Sequence, residues 1–213
     1  MFFDAIQSTA GSLWQGVSGM DEALLSAVKS GNLAELRKLL ARGGTLNSRD
    51  NLGWSPLMWA SALGYTHIVR ALLENGAEPE TSDEYGATAL MKACRQGTAE
   101  VIDLLLKYGA DVDAVDALGW TALMRAAHRG HVDVVELLLE QNPQTEIADH
   151  SGATALILAC SEGHEAVVRK LLEWGANIHA QDIDGNTALA HASAKGHMKV
   201  VKLLNQVRTR DFL

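Results

Sequence analysis

Eight histidines, two cysteines and 26 acidic residues are the side chains of this chain of 213 residues that could ligate a metal, move a proton or attack an electrophile. Their spacing supports none of these chemistries. There is no H-E-x-x-H pair, and Gly163-His164-Glu165-Ala166 only touches that pattern. Neither a G-x-x-x-x-G-K-S/T phosphate loop nor a G-x-S-x-G nucleophile elbow occurs. Two thiols cannot build a disulfide framework or a four-thiolate zinc site. Cys94 and Cys160 are expected as small buried residues, which suits a reducing compartment. No catalytic residue, metal ligand or cofactor is expected.

Other side chains suit recognition. Leu52, Trp54, Trp59, Tyr85, Leu118 and Trp120 are large and apolar, and all lie close to glycines. Lys92, Arg95, Arg125, His128 and Arg129 form a basic group in a chain whose formal net charge is -8. Tryptophan, tyrosine and arginine are enriched where proteins bind proteins. A local basic group steers carboxylates, whereas the acidic whole repels a phosphate backbone.

A repeat positions these residues. Gly53, Gly86, Gly119, Gly152 and Gly185 are each separated by 33 residues, and each stands third after an aspartate: Asp50, Asp83, Asp116, Asp149, Asp182. Leu57, Leu90, Leu123, Leu156 and Leu189 follow the glycines by four. A second glycine and an apolar pair such as Ile68-Val69 complete each unit. Ser55-Pro56 starts a helix with a hydroxyl cap and a proline, and Thr88, Thr121, Thr154 and Thr187 repeat the cap. Gly64 and its equivalents end that helix. A second helix buries Ile68, Val69, Leu72 and Leu73 and stops at Gly76, Gly109, Asn142 or Gly175. The Asp-x-x-Gly segment is a turn.

No single unit can bury its own apolar face, so the units must stack. Small residues on the first helix and large ones on the second predict a curved stack, with turns and first helices on the concave side. On that side Trp54 and Trp120 either contact a partner or pack on the neighbouring turn. Trp59 is the one of the set most suited to the core. The basic group is read either as a solvated face or as a groove for a carboxylate-bearing segment.

The pattern resembles the ankyrin repeat family. Ser55-Pro56-Leu57-Met58 matches its signature, as does Thr121-Ala122-Leu123-Met124 followed by Ala126, Ala127, Gly130 and His131. The signature histidine is replaced by Met58, Met91, Met124, Ile157 and Ala190, so an apolar contact is expected in place of its hydrogen bond. The resemblance implies an all-α solenoid of paired antiparallel helices joined by β-turn or hairpin loops, with about six repeats.

The expected organisation is a helical extension or cap over 1–20 and a capping repeat over 21–49. Four full repeats follow over 50–181, then a C-terminal capping repeat and basic tail over 182–213. Phe3, Ile6, Ala10, Leu13 and Val17 are spaced as a helical stripe, read as an end cap or as an amphipathic segment. That stretch has no basic residue and is a poor signal peptide. The expected function is a non-catalytic scaffold that binds another protein, through an acidic or apolar segment, on the concave side. The alternatives are a dedicated inhibitor or regulatory subunit of one enzyme and, remotely, a small-molecule binder or enzyme. Neither nucleic acid nor membrane is an expected partner; a cytoplasmic monomer is.

Overall fold

A computed structural model describes residues 19–210. The expected helical cap over 1–20 therefore falls outside the described residues, apart from Gly19 and Met20. Among the described residues there are twelve helices and no strand. They are α1 Gly19–Lys29, α2 Leu33–Ala41, α3 Pro56–Leu63, α4 Thr66–Glu74, α5 Ala89–Gln96, α6 Ala99–Lys107, α7 Ala122–Arg129, α8 Val132–Leu139, α9 Ala155–Glu162, α10 Glu165–Glu173, α11 Ala188–Ala194 and α12 Met198–Arg210. None is long and apolar enough to cross a membrane.

Local chemistry sets the boundaries. Ser55, Thr88, Thr121, Thr154 and Thr187 each take an extended backbone, and each hydroxyl accepts from the amide three residues on. Left-handed Gly64, Gly97, Gly130 and Gly163 close α3, α5, α7 and α9. Among the described residues Asn142 is the non-glycine residue with a positive φ, 58°, where Gly76, Gly109 and Gly175 stand in other units. The loop before each odd helix from α3 folds back tightly, with isolated antiparallel pairings at Ser82–Thr88 and Gln181–Thr187.

The odd-numbered helices stack in one layer and the even-numbered in a second, each helix touching its counterpart in the next unit. Ala60, Ser61, Ala93, Cys94, Ala126, Ala127, Ala159 and Cys160 let the first layer close up, and all are fully buried. Val69, Leu72, Ile102, Leu105, Val135, Leu138 and Leu171 fill the space between the layers. Each such side chain contributes about 1.5–3 kcal/mol on burial. Met58, Met91, Met124 and Ile157, at the signature histidine position, are buried in the same core. Apolar packing has replaced the family's hydrogen bond there.

The histidines after the second glycine join one unit to the one before. Nε2 of His131, His164 and His197 lies 3.3, 3.1 and 3.0 Å from the carbonyl oxygens of Arg95, His128 and Ser161. Each ring lies against a helix-ending glycine. A Cβ at Gly130 would stand 2.6 Å from the His164 ring, whereas Gly109 has open space around it. Both glycines are left-handed, φ 75° and 86°. Gly109→Ala should therefore lose only the backbone term, about 1–2 kcal/mol. Gly130→Ala should lose about 1–3 kcal/mol more through overpacking. Urea unfolding followed by circular dichroism checks this; equal losses would show that the ring contact carries no weight.

Candidate partner-binding groove

The turn aspartates organise the candidate site. In each unit one carboxylate oxygen, Oδ1, accepts from the amides two and four residues on. For Asp116 these are Leu118 at 2.8 Å and Trp120 at 3.0 Å. Asp50, Asp83, Asp149 and Asp182 repeat the arrangement. The other oxygen, Oδ2, turns to the residue nine positions on, one helical face away. It accepts from Trp59 Nε1 at 2.7 Å in the first turn and from Lys92 Nζ at 2.6 Å in the second. Arg125 and His191 hold the corresponding oxygens of Asp116 and Asp182. At the fourth turn this position is Leu158, so Asp149 has no such partner.

This places several of the candidate residues. Trp59 is buried, 5% exposed, with its indole nitrogen spent on Asp50, so the expectation of a partner contact there is corrected. Trp54 and Trp120 are partly buried against the core. Trp54 lies on Trp59, centroids 4.6 Å apart, beneath Lys92 at 4.1 Å. Trp120 lies beneath Arg125 at 4.7 Å and meets the His128 ring edge-on. Both indoles pack, but on side chains of the first helices rather than on the neighbouring turn. Lys92 and Arg125 link turn to helix and sit over an indole. Burial lowers Lys92 below its ordinary range, against the pull of Asp83. Burial also holds His128 below the ordinary histidine value.

What remains at the surface is narrower. Tyr85 is 69% exposed and Leu118 60%, on adjacent turn tips joined by the Ala117 amide donating to the Tyr85 carbonyl at 2.8 Å. Leu52 is 39% exposed at the same position one turn earlier. Beneath the tips lies a hollow of about 360 Å³ lined by Tyr85, Ala87, Met91, Lys92, Arg95, Leu118 and Arg125, with Ala117 and the turn aspartates Asp83 and Asp116. A second of about 370 Å³ adjoins it, lined by Trp54, Ala62, Lys92, Arg95, Gln96, Arg129 and His131. Lys92 and Arg95 border both, so the two hollows form one groove with apolar lips and a basic floor.

The family model for ankyrin repeats, written for three copies, matches residues 24–116, 110–182 and 142–211. The chain belongs to the ankyrin repeat family. A comparison with curated proteins finds no match. Ankyrin repeats are generally protein–protein interaction modules and are typically non-catalytic. In this ankyrin repeat chain no group of three or more His, Cys, Asp or Glu among the described residues could hold a metal ion. Cys94 and Cys160 are free and buried; burial raises both thiols, Cys160 to about 12, which suppresses thiolate chemistry at neutral pH.

The turn-to-helix links were not anticipated, although their signal was present. A donor stands nine residues after the turn aspartate in four of the five units: Trp59, Lys92, Arg125 and His191. An amide at the aspartate keeps the Oδ1-type acceptor but sets a donor against the ninth residue. Asp116→Asn should then cost about 1–3 kcal/mol, because a half-buried Arg125 loses its carboxylate. Asp149→Asn has no cation to strand and should cost less than about 1 kcal/mol. Chemical denaturation of the two variants decides it; equal costs would mean that the ion pair adds nothing to the turn.

Proposed function

We propose that this chain is a non-catalytic module that binds a partner protein across the turn tips and first helices of residues 50–130. The observation that carries this reading is the pair of exposed apolar tips, Tyr85 and Leu118, standing over the basic groove. A turn tip normally carries polar residues, and adjacent large apolar ones there expose area that water disfavours. The fold does not need them: neither is among the buried core nor packed against it. The later tips carry Ser151 and Asp184 at the same position, so the row of large apolar side chains there is Leu52, Tyr85 and Leu118; on the last turn the exposed apolar residue is Ile183, one position earlier and away from the basic group. The stack holds its turns by side-chain and backbone hydrogen bonds, so a partner meets a surface already in place, with little ordering cost.

The test uses Tyr85→Ala/Leu118→Ala, whose side chains lie outside the core, rather than replacements of Trp54 and Trp120, which would disturb packing. Affinity capture from native lysate with wild type should retain a partner that the double variant loses at least about tenfold, with circular dichroism and melting temperature unchanged. Equal capture by both forms would overturn the assignment of this face.

A further inference from the structure

Two guanidinium groups in the groove have no carboxylate partner among the described residues. Lys92 and Arg125 are neutralised by Asp83 and Asp116. Arg95 and Arg129 are exposed, and among the described residues neither side chain meets a carboxylate. Glu162, the carboxylate that acts on His128 nearby, is engaged by Lys195 at 2.8 Å. Burial, followed by the like charges of Arg129 and Arg125, lowers Arg95 below its ordinary value, so these cations stand close enough to repel one another. The groove floor therefore carries an uncompensated double positive charge in a chain whose formal net charge is -8. Self-repulsion of this kind is relieved by an anionic occupant.

The spacing narrows the occupant. Arg95 lies near the end of α5 and Arg129 at the end of α7, and these two helices touch. Packed helix axes stand about 8–10 Å apart. An extended chain rises about 3.3 Å per residue, so it advances about three residues from one repeat to the next. Tyr85 and Leu118 stand one repeat apart and lie beside Arg95 in the first hollow; Arg129, one helical position out of register with Arg95, shares the second hollow with it.

Resting on the protein-binding reading above, we infer that the groove takes an extended acidic peptide segment of the partner. Two of its carboxylates, about three residues apart, sit on Arg95 and Arg129. A large apolar side chain of the same segment lies between Tyr85 and Leu118. Arginine suits this task because its planar fork binds a carboxylate through two parallel hydrogen bonds.

The test pans a displayed library of random peptides on the full chain. Enriched sequences are then made as fluorescent peptides and measured by anisotropy against wild type, Arg95→Gln/Arg129→Gln and Tyr85→Ala/Leu118→Ala. The expected result is enrichment of segments with two Asp or Glu three residues apart next to an aromatic or aliphatic residue. Binding should weaken about tenfold or more in the arginine variant, and should fall as salt is raised. Replacing both carboxylates of the peptide by amides should weaken it equally for wild type and hardly at all for the arginine variant. Among the described residues the two arginines hold no ion pair, so that variant should melt with the wild type. Enriched peptides that are neutral, bind the arginine variant unchanged and are lost by the Tyr85/Leu118 variant would overturn the acidic segment while leaving the groove in place. No enrichment, or peptides that bind all three forms alike, would overturn both.

Discussion

The turn aspartate is the constraint on which the rest of the molecule depends. Its Oδ1 satisfies two amides that a sharp turn leaves without partners, and its Oδ2 reaches the first helix nine residues later. Asp50, Asp83 and Asp116 are buried to do so. A buried carboxylate without donors would be strongly unfavourable, so the surrounding N–H groups and the cation must all be in place together. That requirement fixes the angle between turn and helix, and with it the direction in which the tips point. Tyr85 and Leu118 are presented by the same amides that bind the carboxylates, since each tip residue donates its own N–H to the aspartate two positions before it.

Much of this was legible in the sequence. The 33-residue spacing, the hydroxyl caps and the glycine stops fixed the helices, because each reports a local backbone requirement with few solutions. Asn142 was readable as a helix stop for the same reason, and its φ is positive. The fate of the basic and aromatic residues was less legible. Lys92 and Arg125 look like Arg95 and Arg129 in one dimension, yet the first two are consumed by carboxylates and the second two are not. The difference depends on a pairing between residues nine apart, across a turn, which neither the helical nor the strand period reveals. Trp54 and Trp120 likewise read as surface residues from their place beside the turn glycine. The third dimension adds a cation over each ring and, for Trp54, a second indole beneath it.

Division of labour follows from this. Within one repeat, the helical position nine residues after the aspartate supports the turn, whereas Arg95 and Arg129 lie beyond the carboxylate's reach and stay exposed. A module of this design can change its partner by changing tips and late helical positions without disturbing the turns. The same logic explains why the fold tolerates Leu158 at the supporting position. Asp149 keeps its two backbone donors there, and Ser151 Oγ adds a third at 2.7 Å.

The histidine contacts give the stack a direction. His131, His164 and His197 stitch the later units together through a ring against a glycine and a nitrogen beside a carbonyl oxygen. In the earlier units Tyr65 and Thr98 occupy the equivalent place against Gly31 and Gly64. In a solenoid, coupling between neighbours decides how far a local opening spreads. The joints therefore differ in kind along the chain, and the region from Trp54 to Arg129 spans the boundary between the two. A ligand that bridges the first helices of adjacent repeats would act there as an additional strut, tying the opening of one repeat to that of the next.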